Sequence, residues 1–270
     1  MSEQRSRPGD VILDMLRSRR PRRHRAGALI EAGALFGFTA NTMRVTLSRL
    51  AARGLIESPQ RGVYQLTPQT DALNDFVERW RLGEQRTRPW QSGRWLFAHV
   101  PEPSHRCDWA LQALGCRTVG PNLQARPDNL ALTPAELRSL GEGLGLPRDV
   151  VLIAGEPEGD SGPRSWVNAW QPEELDAQYT RNLQRLERSS RLLAELDEAE
   201  ARLECFTLGG EIIHRLAKDP LLPAPLVNVR DRQALWQAMQ EYETLGRKIW
   251  AGERGDVPRH MPRPQLPMAV

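Results

Sequence analysis

Only three cysteines occur in the chain, Cys107, Cys116 and Cys205, an odd number with no CxxC among them. That usage implies neither a disulfide framework nor a zinc site, and no metal or cofactor is expected. No run of about 18 apolar residues is present, and the arginine-rich start lacks the apolar stretch and small-residue cleavage site of a secretory signal. A cytoplasmic protein with no membrane contact is the expectation. Gly141-Glu142-Gly143-Leu144-Gly145 lacks the GKS/T of a phosphate loop and the spacing of a dinucleotide fingerprint, and reads as a helix end and a turn. Ser104, Ser161 and Ser165 sit in no G-x-S-x-G elbow. Nothing in these patterns calls for an enzyme.

Lysine is almost missing too. Lys218 and Lys248 are the only two, so every other one of the 37 cations is an arginine, the side chain that forks onto phosphates and guanine edges. A GC-rich genome would also write arginine for lysine, but would not cluster it. Residues 1–94 hold 17 basic and 9 acidic groups and the remainder 20 and 25, so a basic front precedes an acidic body. With 270 residues, 40% hydrophobic and 26% charged, the chain has material for two or three packed domains.

The pattern of the elements predicts an α+β multidomain protein. Residues 10–67 read as three short helices and a hairpin, because apolar residues recur at helical spacing and then nearly alternate. The first helix carries Val11, Ile12, Met15 and Leu16 and ends at Arg19-Arg20-Pro21-Arg22-Arg23. The second holds Leu29, Ile30 and Leu35 and stops near Gly37. The third has Thr39 as its N-cap and Gly54 as its left-handed C-terminal residue. Strands 55–57 and 63–66, joined through a tight turn at residues 58–62, complete a winged helix-turn-helix. With a connecting helix over 73–86, this domain spans residues 1–88, and 87–93 form a linker. Strand and helix signals then alternate at 95–100, 107–114, 117–124, 134–144 and 150–154, which predicts a ferredoxin-like domain over 94–171 with helices on one sheet face. Leucines at helical intervals from Pro172 to Leu203, a short helix at 211–216 and a helix at 231–250 make a helical domain of 172–252. Residues 253–270 read as a proline-rich tail.

On the third helix, steps of 100° put Met43, Leu47, Leu50 and Ala51 on a core face and Asn41, Arg44, Val45 and Ser48 opposite. Those four can meet a major groove, where arginine reads guanine, asparagine reads adenine and an aliphatic group packs on the thymine methyl. Ser48, Arg49 and Arg53 lie further along, where they position phosphates, Arg61 at the wing tip can reach an adjacent phosphate or the minor groove, and Thr39 and Thr42 complete the expected DNA-binding set. The alternatives are a winged helix that only scaffolds protein contacts in a larger assembly and, from a third class, a nucleic-acid-processing enzyme. The latter needs an acidic residue at the end of the first middle strand to hold a hard cation, where this chain has Ala98-His99-Val100-Pro101.

Several stretches carry a resemblance. Gly33-Ala34-Leu35-Phe36-Gly37, Arg44-Val45-Thr46-Leu47-Ser48-Arg49-Leu50, Gly54-Leu55-Ile56 and Arg61-Gly62-Val63-Tyr64-Gln65-Leu66-Thr67 resemble the N-terminal domain of PaaX-type regulators, bacterial repressors of phenylacetic acid degradation. Val100-Pro101-Glu102, Leu114-Gly115-Cys116, Pro121-Asn122-Leu123 and Asp219-Pro220-Leu221-Leu222-Pro223 continue it in order. The middle domain is also similar to the small ferredoxin-like subunit of CRISPR adaptation complexes, a resemblance that implies the metal-dependent nuclease alternative; with Ala98-His99-Val100-Pro101 where the acid would stand, a dimerisation or coupling platform is the expectation. The resemblance implies a homodimeric repressor that binds operator DNA and is released by an aryl acyl-CoA thioester. For that effector His214 offers a hydrogen bond to the thioester carbonyl, and Arg215 and Lys218 offer charge to its phosphates. The plainer reading of His214 is a partly buried histidine bonded to backbone, and the eight tryptophans read as core or interface anchors rather than an aryl pocket.

Overall fold

The computed structural model describes residues 7–18, 23–157 and 166–252. Arg19, Arg20 and Arg22 of the expected helix end, Ser161, Ser165 and the tail 253–270 lie outside the described residues. The fold is mixed α+β, with two small antiparallel sheets.

The first group of elements is α1 (Pro8–Ser18), β1 (Arg23–Arg25), α2 (Ala26–Leu35), α3 (Ala40–Ala52), β2 (Ile56–Gln60) and β3 (Val63–Leu66). Val11, Ile12 and Leu16 of α1, Leu29 of α2, Met43, Leu47 and Leu50 of α3, and Ile56 and Leu66 of the hairpin form one core. Ala51, expected in that core, is exposed. One further step of 100° beyond Leu50 turns it to solvent. The wing is tighter than expected: β2 runs on to Gln60, which pairs with Val63, leaving Arg61 and Gly62 as a two-residue turn. Gly62 has φ +75, a conformation that glycine adopts without steric cost. Strand β1 was not expected, because Arg-His-Arg carries no apolar alternation. It forms because β3 offers an unpaired edge, against which Arg23 pairs with Gln65 and Arg25 with Val63.

Helix α4 (Pro68–Glu78) follows, with proline in the first turn where no N–H is needed. The single connecting helix expected over 73–86 instead starts at Pro68 and passes at Arg79 into 3-10 turns, broken at Gly83 with φ 49 and ψ −128. Tertiary packing sets that break. A Cβ on Gly83 would stand 2.3 Å from the indole of Trp236.

The second group is β4 (Trp95–His99), α5 (His105–Ala113), β5 (Arg117–Gly120), β6 (Leu123–Pro127), α6 (Pro134–Leu144) and β7 (Val151–Gly155). Residues 117–124, expected as one strand, are a hairpin that turns at Pro121 and Asn122, the latter at φ 53. Proline and asparagine are the turn formers that a strand reading passed over. The sheet order β5-β6-β4-β7 is antiparallel throughout. Alternation along β4 sends Leu96 and Ala98 to the face that α5 and α6 cover, and Trp95 and Phe97 to the other. That second face is closed by Trp90, Trp166, Trp170, Leu222 and Val227. Trp95 lies 6.1 Å from Trp90, 5.7 Å from Trp166 and 5.9 Å from Trp170 between ring centroids. Trp95 and Trp170 are buried and Trp90 and Trp166 partly so, whereas Trp109 of α5, expected as a core or interface anchor with the rest, is 37% exposed.

Helices α7 (Pro172–Leu192), α8 (Glu198–Ala217) and α9 (Val229–Ala251) make the third group. The leucine stripe read as continuous from 172 to 203 breaks before Asp197, which accepts from the Glu200 amide while Glu200 returns to the Asp197 amide. That capping box starts a new helix. Residues 211–216, expected as a short helix, are the last turns of α8. Tyr179, Leu186, Leu208, Ile212, Leu235, Met239 and Tyr242 close the core, and Trp80 joins them from beyond α4.

Loop 218–228 ties the groups together. The buried Arg126 guanidinium donates to the carbonyls of Leu114, Pro127 and Pro220 and to Asn129 Oδ1, while Asn129 Nδ2 donates to the Leu221 carbonyl at 2.8 Å. Arg86 donates to the Gly83 and Leu216 carbonyls, and Arg232 to both Glu84 carboxylate oxygens at 2.9 Å and to the Leu222 carbonyl. The Gly83 break is therefore a compulsory feature. Gly83→Ala should lower stability by about 3 kcal/mol, roughly 10 °C in thermal melting, whereas Gly143→Ala, whose Cβ meets nothing within 4 Å, should leave the melt unchanged or raise it slightly.

Candidate nucleic-acid interface

Helix α3 is started by Thr39, whose Oγ1 accepts from the Thr42 amide at 3.1 Å. The two hydroxyls lie 2.9 Å apart, and no carboxylate occupies the first turn, so the positive end of the helix dipole faces outward unmasked. Its buried side holds Met43, Leu47 and Leu50. Thr39, Asn41, Thr42, Arg44, Val45, Ser48, Arg49 and Arg53 are all exposed, as is Arg61 at the wing tip. Val45 is 40% exposed, an aliphatic side chain set among polar ones with no core to pack on.

The charges of this face are clustered without acids among them. Among the described residues Arg44, Arg49, Arg53 and Arg61 are held in no ion pair. Arg81, Arg88, Arg94, Arg181, Arg185 and Arg247 elsewhere each meet a carboxylate. Arginines placed together without acids hold their charge for an external anion. Strand β1 adds Arg23 and Arg25, both exposed, beside the wing. Sequence reading missed them as part of this surface by treating the arginine run as the end of a helix. The density of arginine was the available signal.

His214, Arg215 and Lys218, expected around an effector, sit at the C-terminal end of α8 and line one cavity of about 510 Å³, with Arg117 of β5 across from them. Arg215 is not free there, since it reaches the Glu211 carboxylate at 3.2 Å. His214 also lines a second cavity of about 720 Å³ between α1, α4, α8 and α9. Burial holds its imidazole below the ordinary histidine value, with Asp14 of α1 opposing. Asp14 is itself raised by burial, against the pull of Arg17. Among the described residues no group of His, Cys, Asp or Glu is arranged to hold a metal, and no helix is long and apolar enough to cross a membrane. The three cysteines are buried and joined in no disulfide among the described residues.

Comparison with known families gives the class of the chain. The profile of PaaX-like protein matches residues 11–70, and that of the PaaX-like protein C-terminal domain matches residues 170–252. The chain belongs to the PaaX-like family. The two matches take in α3, the wing and the three C-terminal helices, so the PaaX-like assignment rests on both ends of the chain. It carries with it transcription regulation, with DNA as partner. No curated protein gives a significant match. Among solved structures the chain is similar to the uncharacterized protein Rv0674 from Mycobacterium tuberculosis at 22% identity and a TM-score of 0.57, covering 90% of this chain and 97% of that one. At that identity the likeness concerns the fold alone.

The cap at Thr39 is open to a direct check. Thr39→Ala should cost about 1 kcal/mol in chemical denaturation, and Thr39→Ser should restore most of it, since only the accepting oxygen matters.

Proposed function

We propose that this PaaX-like protein is a dimeric transcriptional repressor in which residues 1–88 are a winged helix-turn-helix that binds operator DNA. Residues 94–171 act as a ferredoxin-like coupling domain and 172–252 as an effector-responsive helical domain. The observation that carries the reading is the exposed face of α3, where Asn41, Arg44, Val45 and Ser48 lie opposite Met43, Leu47 and Leu50 with no acid neutralising the arginine. Asn41, Arg44 and Val45 read base edges; Ser48, Arg49, Arg53, Thr39 and Thr42 position phosphates. Arg61, Arg23 and Arg25 extend the phosphate track along the wing.

Dimerisation is supported by β7, an edge strand whose Val151 and Ile153 are 49% and 55% exposed and which carries no charge to block strand pairing. Two recognition helices would then read half-sites about one helical turn, or a multiple of it, apart. The effector is an aryl acyl-CoA thioester held near His214, with Arg215, Lys218 and Arg117 beside the phosphates. It releases the operator by favouring a dimer geometry in which the two helices no longer match the groove spacing. To do so it must prefer the released state by a few kcal/mol.

A mobility-shift titration against DNA flanking the coding region tests the reading. A preferred site, with affinity falling steeply as salt rises, is expected, and equal binding to every fragment would exclude it. On that site Arg44→Ala should cost about tenfold or more and relax the choice of base. Arg49→Ala should weaken all sequences alike and reduce the salt slope by about one.

A further inference from the structure

The 720 Å³ cavity is built from two groups of elements at once. Met15 comes from α1 of the winged-helix group, Val77 from α4, Phe206 and Ile213 from α8, and Met239 and Trp250 from α9. Its charged wall residues are already matched. Arg17 meets Asp14 at 2.9 Å, Arg81 meets Glu78 at 2.8 Å and also Glu243, and Arg247 meets Glu243 at 2.9 Å. A phosphate group inside would find no spare cation, whereas an apolar body would find thioether, aliphatic and aromatic walls. Among the buried polar side-chain atoms of the wall one is left over: Arg17 Nε donates to nothing among the described residues. The chamber therefore suits a compact aromatic molecule that carries a single acceptor group and no phosphate.

The wall also touches the turn before the recognition helix. The Phe206 ring packs edge-on against Phe36 at 5.1 Å, Phe36 stacks on Phe38 at 6.4 Å, and Phe206 lies 6.3 Å from Trp250. Phe36 and Phe38 bracket Gly37 in the α2–α3 turn, and Thr39 caps α3 immediately after. We propose that this cavity is a binding site for a small, phosphate-free aromatic ligand, which clamps the winged-helix group onto α8 and α9 through the Phe206–Phe36 contact. A ligand that binds this arrangement stabilises it by mass action, so the helix-turn-helix is held in one orientation relative to the body. The regulatory consequence rests on the proposed DNA reading; the site itself does not.

The test uses the full chain without DNA and 6-propionyl-2-dimethylaminonaphthalene as probe, an uncharged aromatic body with one carbonyl acceptor. Saturable binding at one probe per chain is expected, with slower hydrogen exchange at the amides of residues 36–38, which are bonded to the Gly33 and Ala34 carbonyls. Gly210 lines the cavity and a Cβ there meets nothing within 4 Å, so Gly210→Leu plugs the space and should weaken the probe at least tenfold. Gly210→Ala, the smaller plug, should give a lesser loss and stands in if the leucine variant does not fold. Unchanged probe affinity in the variant that folds, or exchange at residues 36–38 indifferent to the probe, overturns the proposal. Absence of a preferred DNA site would instead remove the proposed function while leaving the probe and exchange results readable.

Discussion

Burial of arginine charge against backbone carbonyls is the constraint on which this structure depends. Arg86 and Arg126 are buried, and burial pushes both guanidiniums down to about 10, so each still carries its charge at neutral pH. For Arg232 burial works in the same direction, but Asp219 and Glu84 outweigh it and hold the group above the ordinary arginine value. A cation away from water is tolerated only when its N–H groups are met, and here loop 218–228 and the neighbouring chain ends supply the acceptors. The loop has little freedom to move. Asp219 accepts from the Leu221 amide at 2.7 Å, Pro220 and Leu221 give their carbonyls to Arg126 and Asn129, and Leu222 both meets Arg232 and fills the tryptophan face of the sheet.

The same constraint accounts for short motifs that carry no chemistry of their own. Gly115 has φ 84, and a Cβ there would lie 2.6 Å from the Arg126 guanidinium and 2.9 Å from the Pro220 carbonyl. Leu114-Gly115-Cys116 is thus the seat for a buried cation, and Asp219-Pro220-Leu221-Leu222-Pro223 is the strap that satisfies it. Gly83 plays the matching part for Trp236, whose indole N–H donates to the Trp80 carbonyl at 3.0 Å. The path between the first group of elements and the body is short and stiff, with α4 packing on the sheet helices through Leu73 and Phe76 and the chain beyond it entering the helical core through Trp80.

Charge is sorted by that architecture. Within the body many arginines are held in ion pairs or against carbonyls, while Arg106, Arg188, Arg191 and Arg230 are exposed and unpaired among the described residues; on α3 and the wing Arg44, Arg49, Arg53 and Arg61 stand together without acids. The aromatic contact from Phe206 to Phe36 crosses between these two regimes and sits beside the larger cavity, so the molecule joins its charged outer face to an apolar interior through very few side chains. Packed interfaces of this kind respond to occupancy in discrete steps because there is little slack to absorb a change of shape.

Much was legible in the residue order. Thr39 as cap, Gly54 in the left-handed region, the apolar stripe of Met43, Leu47 and Leu50, the near-alternation of the wing and the general series of strands and helices are local signals. A cap, a turn or a helix stripe depends on neighbours within a few residues, and those neighbours are printed side by side. Strand β1, the 3-10 break at Gly83 and both cavities were not legible. Each depends on groups far apart along the chain: the free edge of β3, the indole of Trp236, the loop carbonyls around Arg126. The sequence by itself determined which residues could form helices, strands and an exposed cationic face. Only the tertiary structure decided which charges were spent internally and where space was left between α1 and the C-terminal helices, because burial and partnership are properties of through-space neighbours.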